Sequence, residues 1–547
     1  MLLVSALTIV LAGTSAAQAQ VATGVGTAGT GSLGQPVAPA LPSTTLVTPL
    51  SPLSVGEAAV VRPLWTFNPR ISVEQSFTDN ANGGAPGNRE SDLYTTIRPG
   101  ALVDLYSHHH RFTLDYTFTR RQYVFNEDLR NNQHALSTFS QSELVDGIFF
   151  LDTQTSLSDA TLNSQGQVSA DPTIQFEGNS ATILTASASP FLRYQLDKYA
   201  NFETRYRYGR TISLTEGAQD SESHRFTHSV ASGREFDRFS WGGTFDIGRE
   251  DFTGTATFGP SGDRTNRNLL GVGSVEVPII REFSIAMSAG YEKIEDLTLQ
   301  DQPDGPIWNI GFRYRPGPRT TLQMGYGDRY DKKRVSGGLS YLISPRSSLT
   351  VSYGQSIRQT TPTANNSVAF LAPDGFGNLV DVRTGQGLSF SDSVFGLTSS
   401  SFYTERLDAS LSLGHDKGAS STLNFFMEKR SGSTTQSDED AVGISYGYSR
   451  PLNSYLTMNF SGSFSKSETT GTTPATTPGT AINVNTNALA TGNETRLFTS
   501  SVGGALNYNI SDTMTATLSY TFFRRDSSDQ GGDSSENLLT AGIRKSF

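Results

Sequence analysis

The 547-residue sequence contains no cysteine, which excludes disulfide scaffolds and thiolate metal sites. Histidine is scarce, at 7 residues, and none stands beside a recognisable nucleophile motif. Hydrolases that pair a Ser or Asp nucleophile with a positioned base therefore find no support here, and neither a catalytic residue nor a cofactor is indicated. Basic excess is missing as well. A formal net charge of -10 argues against a general nucleic-acid binder. Long apolar runs are absent after residue 12, so nothing approaches the roughly 18 residues that a spanning helix needs. Any membrane contact beyond that point must come from strands. Hydrophobic residues make up 36% of the chain, a value that fits a large barrel with an apolar outside and a wet lumen.

Leu2 to Ala12 is an apolar core, and Ala17-Gln18-Ala19 follows with small residues at alternate positions. This pattern predicts a signal peptide over 1–19, although no Lys or Arg precedes the core. Residues 20–64 are rich in Gly, Ala, Pro, Thr and Val and almost uncharged, as expected of a flexible periplasmic linker. From Trp65 to Phe547 the texture is uniform, with alternating segments and polar breaks.

The alternation carries the fold assignment. Leu93, Thr95, Ile97, Pro99, Ala101, Val103 and Leu105 share one strand face, opposite Tyr94, Thr96, Arg98 and Asp104. Phe112, Leu114, Tyr116 and Phe118 repeat the pattern, as do Phe283, Ile285, Met287, Ala289 and Tyr291. Near the end come Met514, Ala516, Leu518, Tyr520 and Phe522. Each segment so read has one greasy and one polar face. A β-sandwich also alternates, and two features separate the cases.

Short turns follow every second segment, for example at Asp146-Gly147, Asp197-Lys198, Arg281-Glu282 and Ser511-Asp512. The intervening breaks are mostly longer, with those at 159–180, 361–400 and 468–493 the longest. Tight turns at one end and long loops at the other mark an outer-membrane barrel. The count predicts an all-β, transmembrane, antiparallel up-and-down β-barrel of about 22 strands, within roughly 18 to 26, with both termini periplasmic. The second feature is the last segment. Leu539, Ala541, Ile543 and the terminal Phe547 share a face, Lys545 being the exception. A final strand ending in Phe resembles the sorting signal read by the barrel-assembly machinery. Aromatics near segment ends (Tyr106, Tyr194, Trp308, Tyr314, Tyr341, Tyr508) suit interfacial girdles. Pro99, Pro190 and Pro278 sit inside expected strands, and Pro99-Gly100 predicts a bulge.

The stretch "ISVEQSFTDNANGG" (Ile71 to Gly84), with Phe77-Thr78-Asp79-Asn80 at its centre, resembles the first strand of the β-barrel porin family associated with exopolysaccharide and exosortase operons. The similarity continues through "SDLYTTIRPGALVDL", "RFTLDYTFTRRQYVFNEDLRNNQHAL" and "SELVDGIFFLDTQTSLS", covering residues 70 to 158; the remainder shares only barrel texture. The resemblance implies an outer-membrane pore for polysaccharide export, working with a periplasmic polysaccharide-export protein. It transfers no catalytic residue.

With greasy faces toward lipid, Arg98, Arg121, Arg193, Arg205, Arg207, Arg313, Arg315, Arg406 and Arg544 point inward, together with Asp104, Asp115, Asp246, Glu276, Glu292, Asp408 and Glu428. Charged rings in a pore set selectivity. Arg205/Arg207 and Arg313/Arg315 place two guanidinium groups about 7 Å apart, suited to an acidic polysaccharide or simply paired with lumenal acids across strands. His108 to His110 lie in a short turn with no closed ligand shell, and no metal site is expected. His224 and His228 would stand about 13 Å apart on a strand, too far to share an ion. Acidic loops such as 215–223 and 295–304 suit divalent cations bridging lipopolysaccharide, or plain solvation. The 361–400 loop, with Phe370, Leu371, Phe376, Leu379, Val380 and Phe395, is too apolar for a solvated loop and is expected to plug the lumen or cap its mouth. Besides polysaccharide export, a porin for small solutes and a plugged structural or adhesive barrel remain open.

Overall fold

The computed structural model describes residues 64–547 apart from positions 130, 164–165, 172, 175, 177–178, 257–261, 331, 435–436, 471–494 and 529–531. Between 360 and 397 only the backbone of three short strands is described. The expected signal peptide and nearly all of the linker lie outside the described residues.

The strands are β1 (Trp65–Thr78), β2 (Asp92–Tyr106), β3 (His110–Tyr123), β4 (Asn131–Val145), β5 (Phe149–Thr161), β6 (Ser180–Leu196), β7 (Ala200–Ser213), β8 (Asp220–Ser232), β9 (Ser240–Thr253), β10 (Arg264–Ile280), β11 (Phe283–Glu295), β12 (Asp304–Gly317), β13 (Thr320–Arg329), β14 (Lys332–Ser344) and β15 (Ser347–Arg358). The short strands β16 (Leu371–Pro373), β17 (Leu379–Asp381) and β18 (Gln386–Gly387) follow. Then come β19 (Phe402–Gly414), β20 (Ser420–Ser431), β21 (Asp438–Pro451), β22 (Leu456–Thr470), β23 (Thr495–Ser511), β24 (Met514–Ser527) and β25 (Ser534–Ser546). Apart from β16–β18, which form their own small sheet, these make one 22-stranded sheet. Every consecutive pair is antiparallel, and β1 pairs with β25, so the wall closes on itself. Closure removes both sheet edges, which is what lets strands cross a bilayer with every backbone group paired. Among the described residues no helix is long and apolar enough to cross a membrane.

The start of β1, the end of β25 and ten short turns lie at one edge, hereafter the termini edge; the longer connections lie at the other, the loop edge. Two connections were not among the expected breaks: 124–130, which holds a single helical turn at Glu127–Leu129, and the two-residue turn at 330–331. Both are short, and shortness hides a loop-edge reversal from a reading that expects long ones.

The period-2 faces fall as the sequence dictates. Phe77, Ile97, Met287, Leu518 and Ile543 point outward and are 41 to 51% exposed, whereas Tyr94 and Phe191 point inward and are buried. So wide an apolar outer surface is stable only in lipid, since covering one large apolar side chain is worth about 1.5–3 kcal/mol. Five of the six expected girdle aromatics face outward and half-exposed. Tyr106 does not: it shares the inward parity of Asp104 on β2. The proline expectation needs a correction too. Register is the same on either side of Pro99, with Ile97 opposite Arg120 and Gly100 opposite Thr117, so no bulge forms. Pro99 merely interrupts pairing toward β3 while staying in register with Ile71 on β1. Pro190 does the same between β5 and β7. A missing N–H costs one ladder bond on one side and need not shift a strand. At Pro278, near the termini edge, the register does shift.

Candidate functional site

The inner wall is built from the polar half of each strand, and its charges meet across strands. Arg98 reaches Glu74 at 2.5 Å. Arg205 bonds Asp152 at 2.8 Å and Glu203 at 3.1 Å, while Arg193 takes the other Glu203 oxygen at 3.1 Å. Arg313 clasps both Glu276 oxygens at 2.7 and 2.8 Å. Arg406 joins Asp408 at 2.6 Å and Glu428 at 3.1 Å, and Arg430 takes the second Glu428 oxygen at 2.6 Å. Arg225 and Thr227 both donate to Asp246. Arg121 is 1% exposed and donates to Gln133 and Thr173. Of the expected pairs, Arg207 lies inward opposite Arg225, and Arg315 is exposed at the termini edge, its N–H bonded to the Glu282 carbonyl. Arg544 sits opposite the inward Ser72. Most of the lumenal arginines are thus tied to lumenal acids, an arrangement that sets neighbouring strands in register.

One element was not foreseen. The described residues of the connection from β5 to β6 (162–179) fold back over the inner wall of β24, β25 and β1 to β3. Ser169 Oγ donates to Glu536 at 2.9 Å and the Ala170 N–H to the same carboxylate oxygen at 2.6 Å, while Thr78 binds the other oxygen at 2.7 Å. Arg525 donates to the Gly166 carbonyl. Asp171 lies 3.9 Å from Arg98, and Arg121 donates to the Thr173 carbonyl at 3.0 Å. Burial pushes the Asp171 carboxyl up, but Arg121, Arg98 and the Thr173 hydrogen bonds outweigh it and hold the group below its ordinary value. Ile174 and Phe176 pack with Ala81, Tyr94, Tyr123 and Leu538. From β5 to β25 is five strand spacings, about 24 Å of wall. Two apolar residues two apart in a polar connection, beside an aspartate, were the available signal; without periodicity they gave no direction.

No protein-family model matches the chain, and no curated protein matches it significantly. Solved structures do. The siderophore receptor PirA from Acinetobacter baumannii superposes with a TM-score of 0.50 at 10% identity, covering 88% of this chain and 80% of that one. The FrpB iron transporter from Neisseria meningitidis gives a TM-score of 0.49 at 10% identity, covering 89% and 82%. The fold is that of an outer-membrane β-barrel. At such identity the likeness concerns the fold alone.

In this barrel Leu539, Ala541, Ile543 and Phe547, expected to form the assembly signal, all lie on the outward face of the last strand and its end. The Phe547 N–H donates to the Pro69 carbonyl at 2.9 Å, fastening the seam between β25 and β1. His224 and His228 both face outward with separate hydroxyl partners, Tyr206 at 2.7 Å and Thr204 at 2.8 Å. His109 Nδ1 lies 3.5 Å from both Glu143 and Asp146, carboxylates brought by the neighbouring turn. Three exposed or half-exposed groups leave that site open to solvent. The apolar side chains singled out in 361–400 lie outside the described residues. Of that loop, the backbone of β16 lies against β4 and β5, and its end returns inward, where the Ser399 carbonyl accepts from Arg264 at 2.7 Å.

Proposed function

We propose that the barrel is a passive outer-membrane pore, with its loop edge outside and both termini periplasmic, and that it is the outer-membrane conduit for an exopolysaccharide. The observation that carries this reading is the chemistry of the inner wall. Its charges are mostly spent on each other, and between them lie partly exposed inward hydroxyl and amide groups such as Ser410, Asn424, Ser463 and Thr517. Such a surface offers weak, exchangeable hydrogen bonds to a hydroxyl-rich polymer and no single-sign field to trap it. The committed arginines favour a weakly charged polymer over a strongly acidic one. The resemblance of residues 70–158 to the porins of exopolysaccharide operons supports the same assignment. Deleting the gene and assaying secreted polysaccharide tests it: secretion should fall sharply, and unchanged secretion with impaired uptake of a small solute would favour the porin reading.

A second reading, a plugged barrel, is favoured by the inward fold of 162–179 and by β16 lying against β4 and β5. Barrels of about 22 strands are commonly plugged transporters. Conductance in planar bilayers separates the two, because a plugged barrel stays silent.

A further inference from the structure

The wall has one seam that no connection spans. Every other neighbouring pair of strands is joined by a turn or loop, whereas β1 and β25 stand at opposite ends of the barrel sequence. Chain entropy makes this the hardest pair to close, because the loop it shuts is the whole barrel. Its ladder is also short. β1 pairs with β2 over its full length, Trp65 to Thr78, but with β25 only from Arg70 to Thr78. At the loop-edge end of β25, Ser534 to Asn537 are in register with β24 and not with β1.

The residues that follow Thr78 continue the pairing where the ladder stops. Asp79 accepts from the Asn537 N–H and from its Nδ2, each at 2.7 Å, and the Asp79 N–H reaches the Asn537 carbonyl at 3.3 Å. Asn80, 1% exposed, donates to the Ser535 carbonyl at 3.0 Å and the Ser534 hydroxyl at 3.3 Å. Thr78 donates to Glu536 at 2.7 Å. Two glycines make room for this. Gly84 exchanges hydrogen bonds with the Asn80 side chain at 2.8 and 2.9 Å, and a Cβ on it would collide with the Asn88 carbonyl. Gly83 has φ 60°, and a Cβ there would meet the Phe176 ring at 2.9 Å. Phe176 belongs to the β5–β6 connection, whose described residues hold both sides of the seam. On the β25 side, Ser169 and the Ala170 N–H donate to Glu536, the carboxylate that Thr78 of β1 also binds. On the β1 side, Ile174 and Phe176 pack in one apolar cluster with Ala81, Tyr94 and Tyr123, which Leu538 of β25 completes.

We propose that Thr78-Asp79-Asn80 with Gly83-Gly84 is the latch of the closing seam, and that the β5–β6 connection is a strap laid over it from inside. The strap finds its full set of partners only when β1 and β25 lie side by side, so docking and closure stabilise each other. The motif thereby acts on the wall and not on cargo, and the inference is independent of what the lumen carries.

Backbone hydrogen exchange on the full barrel in detergent, read by mass spectrometry, tests this. Asp79→Ala/Asn80→Ala should speed exchange in residues 70–78 and 538–546 at least about tenfold, the scale set by leaving buried donors and acceptors unpaired. Strands away from the seam, such as β9 and β10, should keep their native rates. Asp296→Ala is the matched control. Its carboxylate, in a residue 3% exposed, also takes a backbone N–H, a hydroxyl and an amide, but in the β11–β12 connection, and its effect should stay there. Ser169→Ala/Phe176→Ala alters only the strap and should speed exchange in β1 and β25. Unchanged exchange in those strands of the folded latch variant, or acceleration spread evenly over all strands, overturns the latch; unchanged exchange there in the strap variant overturns the strap. Heat-modifiable electrophoretic mobility reports folding. If the latch variant does not fold, Ser76→Cys/Thr540→Cys added to it supplies the missing tie, because those hydroxyls face each other at 2.9 Å across the seam and the chain has no cysteine of its own. Refolding under oxidising conditions should then recover the folded form, and no recovery overturns the proposal.

Discussion

Asp171→Asn tests whether the β5–β6 connection narrows the lumen. In the native chain Asp171 accepts from the Thr173 N–H at 2.9 Å and its hydroxyl at 2.7 Å, and lies 3.9 Å from Arg98. Arg121, buried beneath it, grips the Thr173 carbonyl. Removing one partner of a buried ion pair typically costs about 3–5 kcal/mol. The cost here should be smaller, because Arg98 keeps Glu74 at 2.5 Å and the Asp171 side chain is 17% exposed. About 2–3 kcal/mol remains, which shifts the ratio of docked to released segment by roughly 30- to 150-fold. The barrel wall is untouched, so heat-modifiable mobility should not change. In planar bilayers the variant should show larger or more frequent conductance steps, and limited proteolysis should cut within 162–179 sooner than in the native chain. Earlier cleavage with unaltered conductance would refute the constriction. Unaltered cleavage would refute the clamp itself.

Four further outcomes are expected. Because the Asp171 carboxyl is held below its ordinary value of 3.8, its stabilising contribution is complete above that value and is lost as pH falls through the lowered one; conductance should therefore stay constant down to the ordinary carboxylate range and rise only in stronger acid. A rise beginning near neutral pH would contradict the assignment. Glu428→Gln removes the 1% exposed acid that Arg406 and Arg430 share, while Arg406 keeps Asp408 at 2.6 Å, and should destabilise the barrel by about 2–3 kcal/mol in urea unfolding from lipid vesicles; a loss below about 1 kcal/mol would argue against it. Since the chain has no cysteine, Glu216→Cys at the loop edge and Asp237→Cys at the termini edge report topology directly. An impermeant maleimide should label intact cells carrying the first and spare the second, and the reverse pattern would invert the barrel. Phe547→Ala should lower the yield of assembled barrel in cells, read as the heat-modifiable fraction, while leaving fluorescence-monitored refolding in detergent nearly unchanged.

Much of this architecture was legible in the residues themselves. A strand has a period of two, so Phe112, Leu114, Tyr116 and Phe118 declare an outward face without reference to any neighbour, and the inward placement of Arg98, Asp246 and Glu428 follows by elimination. Turn residues such as Asp146-Gly147, with Gly147 at φ 67°, mark the termini edge for the same local reason. What local pattern does not contain is partnership. Whether Arg205 meets Asp152 or a polyanion depends on registers set jointly by several strands, and the meeting of Asp79 with Asn537 depends on how β1 and β25 align. The 162–179 segment has no period at all, and its place on the far wall follows from anchors supplied by Glu536, Arg121 and Tyr94, hundreds of residues apart in part. Face and strand were properties of the sequence alone; closure, pairing and the inward loop arose only when 22 strands were brought into one wall, because those contacts are long-range and no single segment encodes its own neighbour.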